Sequence, residues 1–487
     1  MDNYWQGLTV ALNVEGDSVL KGVRMTETET LERLSGALAA GGVVPGADIE
    51  PRYFGDWVCR NENARPLALL LPRSTHEVSL ALAICHEDGV PVVTQGGRTG
   101  LAGGATPGDG WVILSMERMR AIAAADGASS TIEVEAGAVL EAVQKAADDV
   151  DLLFPLDIGG RGSCTIGGNI STNAGGNRVL RYGMMRDLVL GLEAVLADGT
   201  IVSSLTTMQK NNTGYDLRQL FVGSEGTLGV VTKAVLRLFP KPRSVQTALC
   251  AVEDYAAVVR LLSLARARLG PTLAAFEVMW PSFYRLGTEG MGRRPPIAVG
   301  HGAYVLVENM GTDPDRDSEQ FQAFVEAAFE EGAIVDGVVA QSGKDAAEIW
   351  AVRDSSGEFP RTFWPYVGFD VSLPIGDIGR FIDECSARLA QRYPNVETVW
   401  FGHAADSNIH IGVRIEGADP QPEQQIDEIV YTCVGDYRGS ISAEHGIGLL
   451  KRAYLGQSRK PEEIAVMRSI KAALDPRAIL NPGKVFA

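Results

Sequence analysis

Val93-Thr94-Gln95-Gly96-Gly97-Arg98-Thr99-Gly100-Leu101-Ala102-Gly103-Gly104 joins a β-forming run to a loop in which five of the last nine residues are glycine. A loop of this kind lets backbone N–H groups approach an anionic oxygen, because no Cβ blocks the way. Upstream, Leu67–Leu71 reads as an apolar strand, and Ser74 with Glu77 as a capping box for a helix ending at Gly89. Val90–Thr94 is the next strand, so the glycine loop follows a β-α-β unit. It is not a nicotinamide fingerprint, which needs G-x-G-x-x-G directly between the first strand and its helix. Gly446 and Gly448 near the end lack the third glycine and the strand.

Two more glycine segments follow: one within Gly159–Gly176 and Gly223-Ser224-Glu225-Gly226-Thr227-Leu228-Gly229. Any one alone reads as a tight turn; three in one block point to a dinucleotide held by a different fold. Trp111–Ser115, Thr131–Glu135 and Val230–Leu238 read as strands, Thr30–Ala40 and Ala138–Ala147 as helices, and Asp198-Gly199 as the turn of a hairpin. Pro240-Lys241-Pro242 ends the block. Beyond it, strands at Ala248–Val252, Leu273–Met279 and Tyr304–Asn309 alternate with helices Tyr255–Leu269 and Ser318–Glu331, which predicts an open antiparallel sheet with helices on one face.

The three segments, in this order, resemble the FAD-binding domain of the vanillyl-alcohol-oxidase type. Over roughly residues 50–487 the chain is similar to the branch of D-lactate, D-2-hydroxyglutarate and glycolate dehydrogenases. The resemblance implies an α+β fold: a two-subdomain FAD-binding domain over 51–242 after an arm at 1–50, a substrate domain with a large antiparallel sheet flanked by helices over 243–440, and a helical segment at 441–487 that returns to the active site. It assigns FAD to Gln95, Gly96, Gly97, Arg98, Thr99, Gly100, Leu101, Gly103 and Gly104, which would wrap the pyrophosphate. Pro155, Gly162, Ser163, Cys164, Thr165, Gly167, Gly168, Ser171, Thr172, Asn173, Gly175 and Gly176 would line the rest, with Gly226, Gly229, Val230 and Asn481. Many relatives attach FAD through a histidine in the first loop. None of the six histidines falls there, and cysteine at position 164 is ordinary in this branch, so non-covalent FAD is expected.

Trp400–Val413 reads as strand, turn, strand, with Asp406-Ser407-Asn408 folding His403 towards His410. Two imidazoles plus a carboxylate, for which Glu444 is the candidate, make an open divalent-metal site; hydrogen-bonded core or surface histidines are the bland alternative. Three of the six histidines lie between 403 and 445. In the resembled branch this pattern binds Zn²⁺ or a similar ion, which implies His403, His410 and Glu444 as ligands and His445 as general base. The same resemblance makes Arg353 the group that grips the substrate carboxylate, against the reading of a solvated helix-end arginine.

The chain departs from the 2-hydroxyglutarate enzymes where they carry a threonine, a lysine and an asparagine: here these are Gly357, Gly368 and Gly412. With Phe359–Tyr366 rich in aromatics, this leans towards a monocarboxylic or aromatic D-2-hydroxy acid, like D-lactate or D-mandelate. Arg361 could restore the missing charge and keeps 2-hydroxyglutarate open. FAD oxidation of another alcohol and a non-catalytic FAD-binding subunit are the other readings.

A net charge of −17 argues against nucleic acid or an anionic membrane as partner. The six cysteines form no CxxC, so no iron–sulfur cluster is supported. Electrons would leave to a protein, a quinone or oxygen. No apolar run is long enough to span a bilayer, and the start lacks a signal-peptide pattern. The expectation is a cytoplasmic enzyme and a homodimer.

Overall fold

The computed structural model describes residues 25–486; the expected entry arm before residue 25 lies outside the described residues. The first helix runs Glu27–Ala37, three residues earlier than the apolar pattern suggests. Its start is set by a full capping box in which Thr26 and Glu29 bond each other's backbone N–H. At the next helix, Thr75–Asp88, Ser74 caps Glu77 N, but the Glu77 carboxylate accepts instead from Arg73 N at 2.7 Å and Ala39 N at 3.2 Å. That helix buries Val78, Ala81, Leu82 and Cys85, one face at helical spacing, and stops at Gly89 with φ +70°.

Two four-stranded sheets build the first half. One orders Val43–Pro45, Ala68–Leu70, Val112–Ser115, Val92–Gln95, with the last three parallel; the other orders Thr131–Glu135, Val230–Arg237, Val189–Val195, Ile201–Ser204, all antiparallel. One apolar core spans both, from Leu34 through Val92 and Ile170 to Leu236. The C-terminal segment packs against them: Leu480 bridges Val92, and Asn481 N donates to Val92 O at 2.7 Å.

The second half is a seven-stranded, wholly antiparallel sheet ordered Asp336–Val339, Ser244–Val252, Ala303–Gly311, Leu273–Met279, Val396–Gly402, Asn408–Ile415, Val367–Ser372. The long helices Tyr255–Leu269, Pro314–Glu330, Ile378–Arg392 and Glu423–Asp436 cover one face with a large aliphatic core. The expectation of helices on one face only is corrected here. Short helices Pro281–Gly287, Gly343–Arg353 and Phe359–Thr362 pack a second, aromatic core on the other face. Pro281–Gly287 and Phe359–Thr362 are too short to show a clear apolar stripe, and Gly343–Arg353 buries only Ile349, Val352 and Arg353, all in its last turns. This second face also carries the site.

Candidate active site

Strand alternation explains where the chemistry collects. His410 and Asp370 face each other directly across two neighbouring strands, and Phe401 lies opposite His410 on the other side. The turn Ala404–Asp406, closed by Ser407 at φ +81°, brings His403 back so that the two imidazole centroids lie 5.4 Å apart. Glu444 and His445 arrive on the loop after the helix Glu423–Asp436. Asp370 Oδ2 fixes that loop by accepting the backbone N–H of Ala443, Glu444 and His445 at 3.2, 2.8 and 3.0 Å. One ligand atom each of His403, His410 and Glu444 lies within 4.8 Å of the others.

Electrostatics sort the four groups. Burial pulls His403 down, but Glu277, whose Oε1 sits 2.7 Å from Nδ1, overrides it and pushes the imidazole up to about 9. Glu277 is itself fully buried, yet His403 and Arg353 hold it down at about 2. Arg353 Nη2 lies 3.1 Å from His403 Nε2, so in the neutral ring the proton sits on Nδ1, facing Glu277, and the Nε2 lone pair accepts from Arg353. Burial pushes Glu444 up to about 8, with His403 Nε2 at 3.6 Å as its nearest counter-charge. Burial also lowers His410 far below its ordinary value and lowers His445, with Asp370 opposing both.

These residues fit a divalent ion. Two imidazoles, each with a ring nitrogen to offer once unprotonated, beside the Glu444 carboxylate form an N₂O donor set. Glu277 orients His403 from behind, and Asp370 Oδ1, buried without a hydrogen-bond partner, lies 3.9 Å from His410 Nδ1.

Arg353, at the end of the helix Gly343–Arg353, is only 7% exposed, which excludes the solvated helix-end reading. Its Nε donates to Glu277 Oε2 at 2.8 Å, and the guanidinium lies over the Phe401 ring. Arg361 is different: its side chain is 80% exposed and pairs with Glu358.

The glycine segments meet one another. A Cβ on Gly96 would collide with Thr165 Oγ1 and one on Gly97 with Ser163 O, so glycine there lets the first two segments press together. Gln95 Nε2 staples the loop to Tyr53 O and Ala105 O at 2.8 Å, and Arg98 is held by Tyr53 and Glu117. Asn481 Nδ2 donates to Gly104 O at 3.2 Å and Glu225 O at 2.7 Å, tying first loop, third loop and C-terminus. Gly104 has open space where a side chain would stand, and Thr94 Oγ1, Gln95 Oε1, Thr165 Oγ1, Asn169 Nδ2 and Asn481 Oδ1 are buried without partners along these segments. That set of unanswered donors and acceptors fits a polar dinucleotide. Pro155, Thr99, Leu101, Gly162, Cys164, Gly167, Gly168, Ser171, Thr172, Asn173, Gly175, Gly176, Gly226, Gly229 and Val230 lie in or beside the same segments. Burial pushes the Cys164 thiol up to about 11.

Glu277, Asp370 and Glu225 are the residues that position this candidate site and that sequence reasoning passed over. Glu225 accepts from Ile447 N and Gly448 N at 2.7 Å, locking the third glycine segment to the loop that carries His445. Their signal was a lone carboxylate inside an apolar strand (Leu273–Met279, Val367–Ser372) or inside a glycine turn, where burial demands a partner.

Comparison with known proteins agrees with this geometry. Residues 66–204 match the model of an FAD binding domain and residues 241–485 that of the C-terminal domain of FAD linked oxidases. The chain is 40% identical over 451 residues to a mitochondrial D-2-hydroxyglutarate dehydrogenase of Bos taurus, covering 91% of this chain and 82% of the relative. It is 40% identical over 448 residues to a D-2-hydroxyglutarate dehydrogenase of Xanthomonas citri pv. viticola, covering 90% and 93%. Among solved structures, p-cresol methylhydroxylase with substrate bound superposes with a TM-score of 0.75 at 18% identity, covering 96% and 98% of the two chains, a likeness of fold.

Proposed function

From a chain that belongs to the FAD-linked oxidase family, in its D-2-hydroxyacid dehydrogenase branch, we propose a metal-assisted enzyme that oxidises a D-2-hydroxy acid to the 2-keto acid. The observation that carries it is the convergence of His403, His410, Glu444, His445 and Arg353 on one face of the large sheet. His403, His410 and Glu444 would hold the ion, and the glycine segments with Asn481 would hold FAD. When bound, the metal supplies Lewis acidity to the substrate hydroxyl and FAD accepts the hydride.

The chain's own residues do the rest. Arg353 offers a planar cation to the substrate carboxylate, pre-aligned by Glu277. His445, lowered by burial and so neutral at physiological pH, takes the hydroxyl proton. Asp370, 3.7 Å from His445 Nδ1, steadies the imidazolium that forms. His445 would hold the hydroxyl proton, and bound FAD would supply the two-electron acceptor that balances alcohol to keto acid, with an external protein, quinone or oxygen as the final acceptor.

A non-covalent FAD is supported by the absence of histidine from the first loop and by a Cys164 thiol that burial keeps protonated. All six cysteines are free, which supports a reducing compartment such as the cytoplasm, although the bovine relative is mitochondrial by name. Among the described residues no helix is long and apolar enough to cross a membrane. The relatives' names make D-2-hydroxyglutarate the second reading for the substrate. The test is anaerobic addition of D- and L-2-hydroxy acids while following flavin absorbance. Bleaching by D acids alone is expected, and no bleaching by any would sink the reading.

A further inference from the structure

Lys484 is a cation taken out of water with no carboxylate to meet it. It is 2% exposed, and its ammonium donates to Thr106 O at 2.8 Å and lies 4.4 Å from the centre of the Trp111 ring. Among the described residues neither Lys484 nor Arg452 has an ion-pair partner, and Arg452 Nη1 is held only by Gly483 O, at 2.6 Å. Burial pulls Lys484 down to about 8; Cys59 and Asp56 oppose that shift and Arg452 adds to it. Asp56 spends its Oδ1 on the N–H groups of Val58 and Cys59, at 3.3 and 2.9 Å.

Both cations line one cavity of about 510 Å³, with Arg60, Trp111, Leu449 and Pro482 among its other walls and no aspartate or glutamate lining it. Arg60 is paired with Glu62. The cavity lies on the outer flank of the first glycine loop. Gly96 and Gly97 press on the second glycine segment, whereas a Cβ on Gly103 would meet Cys59 and Leu449 at 3.2 Å. No residue assigned above to FAD lines the cavity, and neither do the buried, unanswered polar atoms of the glycine segments. Arg353, His403, His410, Glu444 and His445 are likewise absent from its walls. Two like charges turned to one space without a carboxylate repel each other until an anion stands between them. In a chain of net charge −17 such a place is an exception to the general field.

We propose that this cavity is a second binding site, separate from flavin and substrate, for an oxyanion (a carboxylate or a phosphate) carried on a flat apolar group. Lys484 and Arg452 would meet the charge, and Trp111 with Leu449 and Pro482 the flat group. The volume suits a small organic anion. The walls also adjoin the catalytic half of the molecule. Leu449 N and Leu450 N, which follow the His445 loop, donate to Ala102 O at 2.8 and 3.2 Å, and Lys484 closely follows the Asn481 that ties the first and third glycine segments. An occupant would brace both segments from outside.

The test is calorimetry on the flavin-loaded enzyme with phenyl phosphate and benzoate, beside inorganic phosphate, acetate and benzyl alcohol as partial probes. One ring anion per chain is expected, bound at least about 10-fold more tightly than any partial probe. Arg452→Gln and Lys484→Met should each weaken it by about 10-fold or more, and Arg353→Lys should leave it unmoved. Arg452 stands on the wall, so its variant decides the matter where the buried lysine change fails to fold. Cys59 lines the cavity and is the one cysteine of the six that is not buried, so a bound ring anion should slow its alkylation, followed by peptide mass. No binding of either ring anion up to about 10 mM overturns the site. So does equal binding of inorganic phosphate, or binding that Arg353→Lys weakens and Arg452→Gln does not.

Discussion

Asp370 accepts the backbone N–H of His445 with the same Oδ2 that lies 3.7 Å from the His445 ring nitrogen, so one carboxylate both places the base and faces its proton-bearing side. Its counter-charges, with the three N–H groups, keep it ionised despite complete burial.

Asp370→Asn should therefore change the pH profile as well as the rate. Burial lowers His445 and the Asp370 charge opposes that, so removing the charge lowers His445 further. The base works when neutral, so the acid limb of kcat/KM moves to lower pH. The plateau falls by roughly 10- to 100-fold because the base is weaker and the loop less well held. A plateau drop with an unmoved limb would assign Asp370 a structural role only.

Metal content and its proton linkage give a second measurement. One divalent ion per chain is expected by elemental analysis, and chelation should abolish turnover while leaving the flavin bound. Without the ion, Glu444 is pushed up to about 8 and His403 to about 9, so at pH 7 binding must displace a proton from each. Affinity should rise with pH towards about 9, and calorimetry at pH 7 in buffers of different ionisation enthalpy should report release of about two protons. Glu444→Gln should keep the fold and lose the ion.

Arg353 separates substrate grip from stability. Arg353→Ala leaves Glu277 buried with His403 as its one remaining counter-charge, so it should cost up to about 3–5 kcal/mol in addition to substrate binding. Arg353→Lys keeps the charge but not the planar fork, so KM for the hydroxy acid should rise about 10-fold or more with a small change in thermal midpoint. Unchanged KM in the lysine variant would place the carboxylate elsewhere.

How far the sequence reaches is visible at particular residues. Tyr255–Leu269 and Leu273–Met279 fall where patterning puts them, because Asp254 caps the helix, Gly270 ends it and the strand is apolar throughout. His403 and His410 were legible as neighbours, since a turn residue pair separates two strands. Glu277 was not: it is 126 positions from the histidine it orients, and only the strand order Leu273–Met279 beside Val396–Gly402 brings them together. The Gly368–Gly412 pairing was invisible for the same reason, as register across strands is a tertiary fact. Arg361 shows the converse. Its charge was plain in the sequence, and its short helix turns it to solvent.

Asp427 offers a prediction independent of the site. Burial, with Glu423 adding to it, pushes this carboxyl up to about 7, on the helix Glu423–Asp436. A folded-state value above the unfolded one means that the native state binds the extra proton between roughly pH 4 and pH 7. The native state is thus favoured at low pH, and that advantage is lost as pH rises through the interval. Asp427→Asn removes the ionisation, so its thermal midpoint should exceed that of the wild type at pH 8, where the buried charge is otherwise forced, and match it near pH 4. An equal offset at both values would mean that packing, and not the charge, sets the difference.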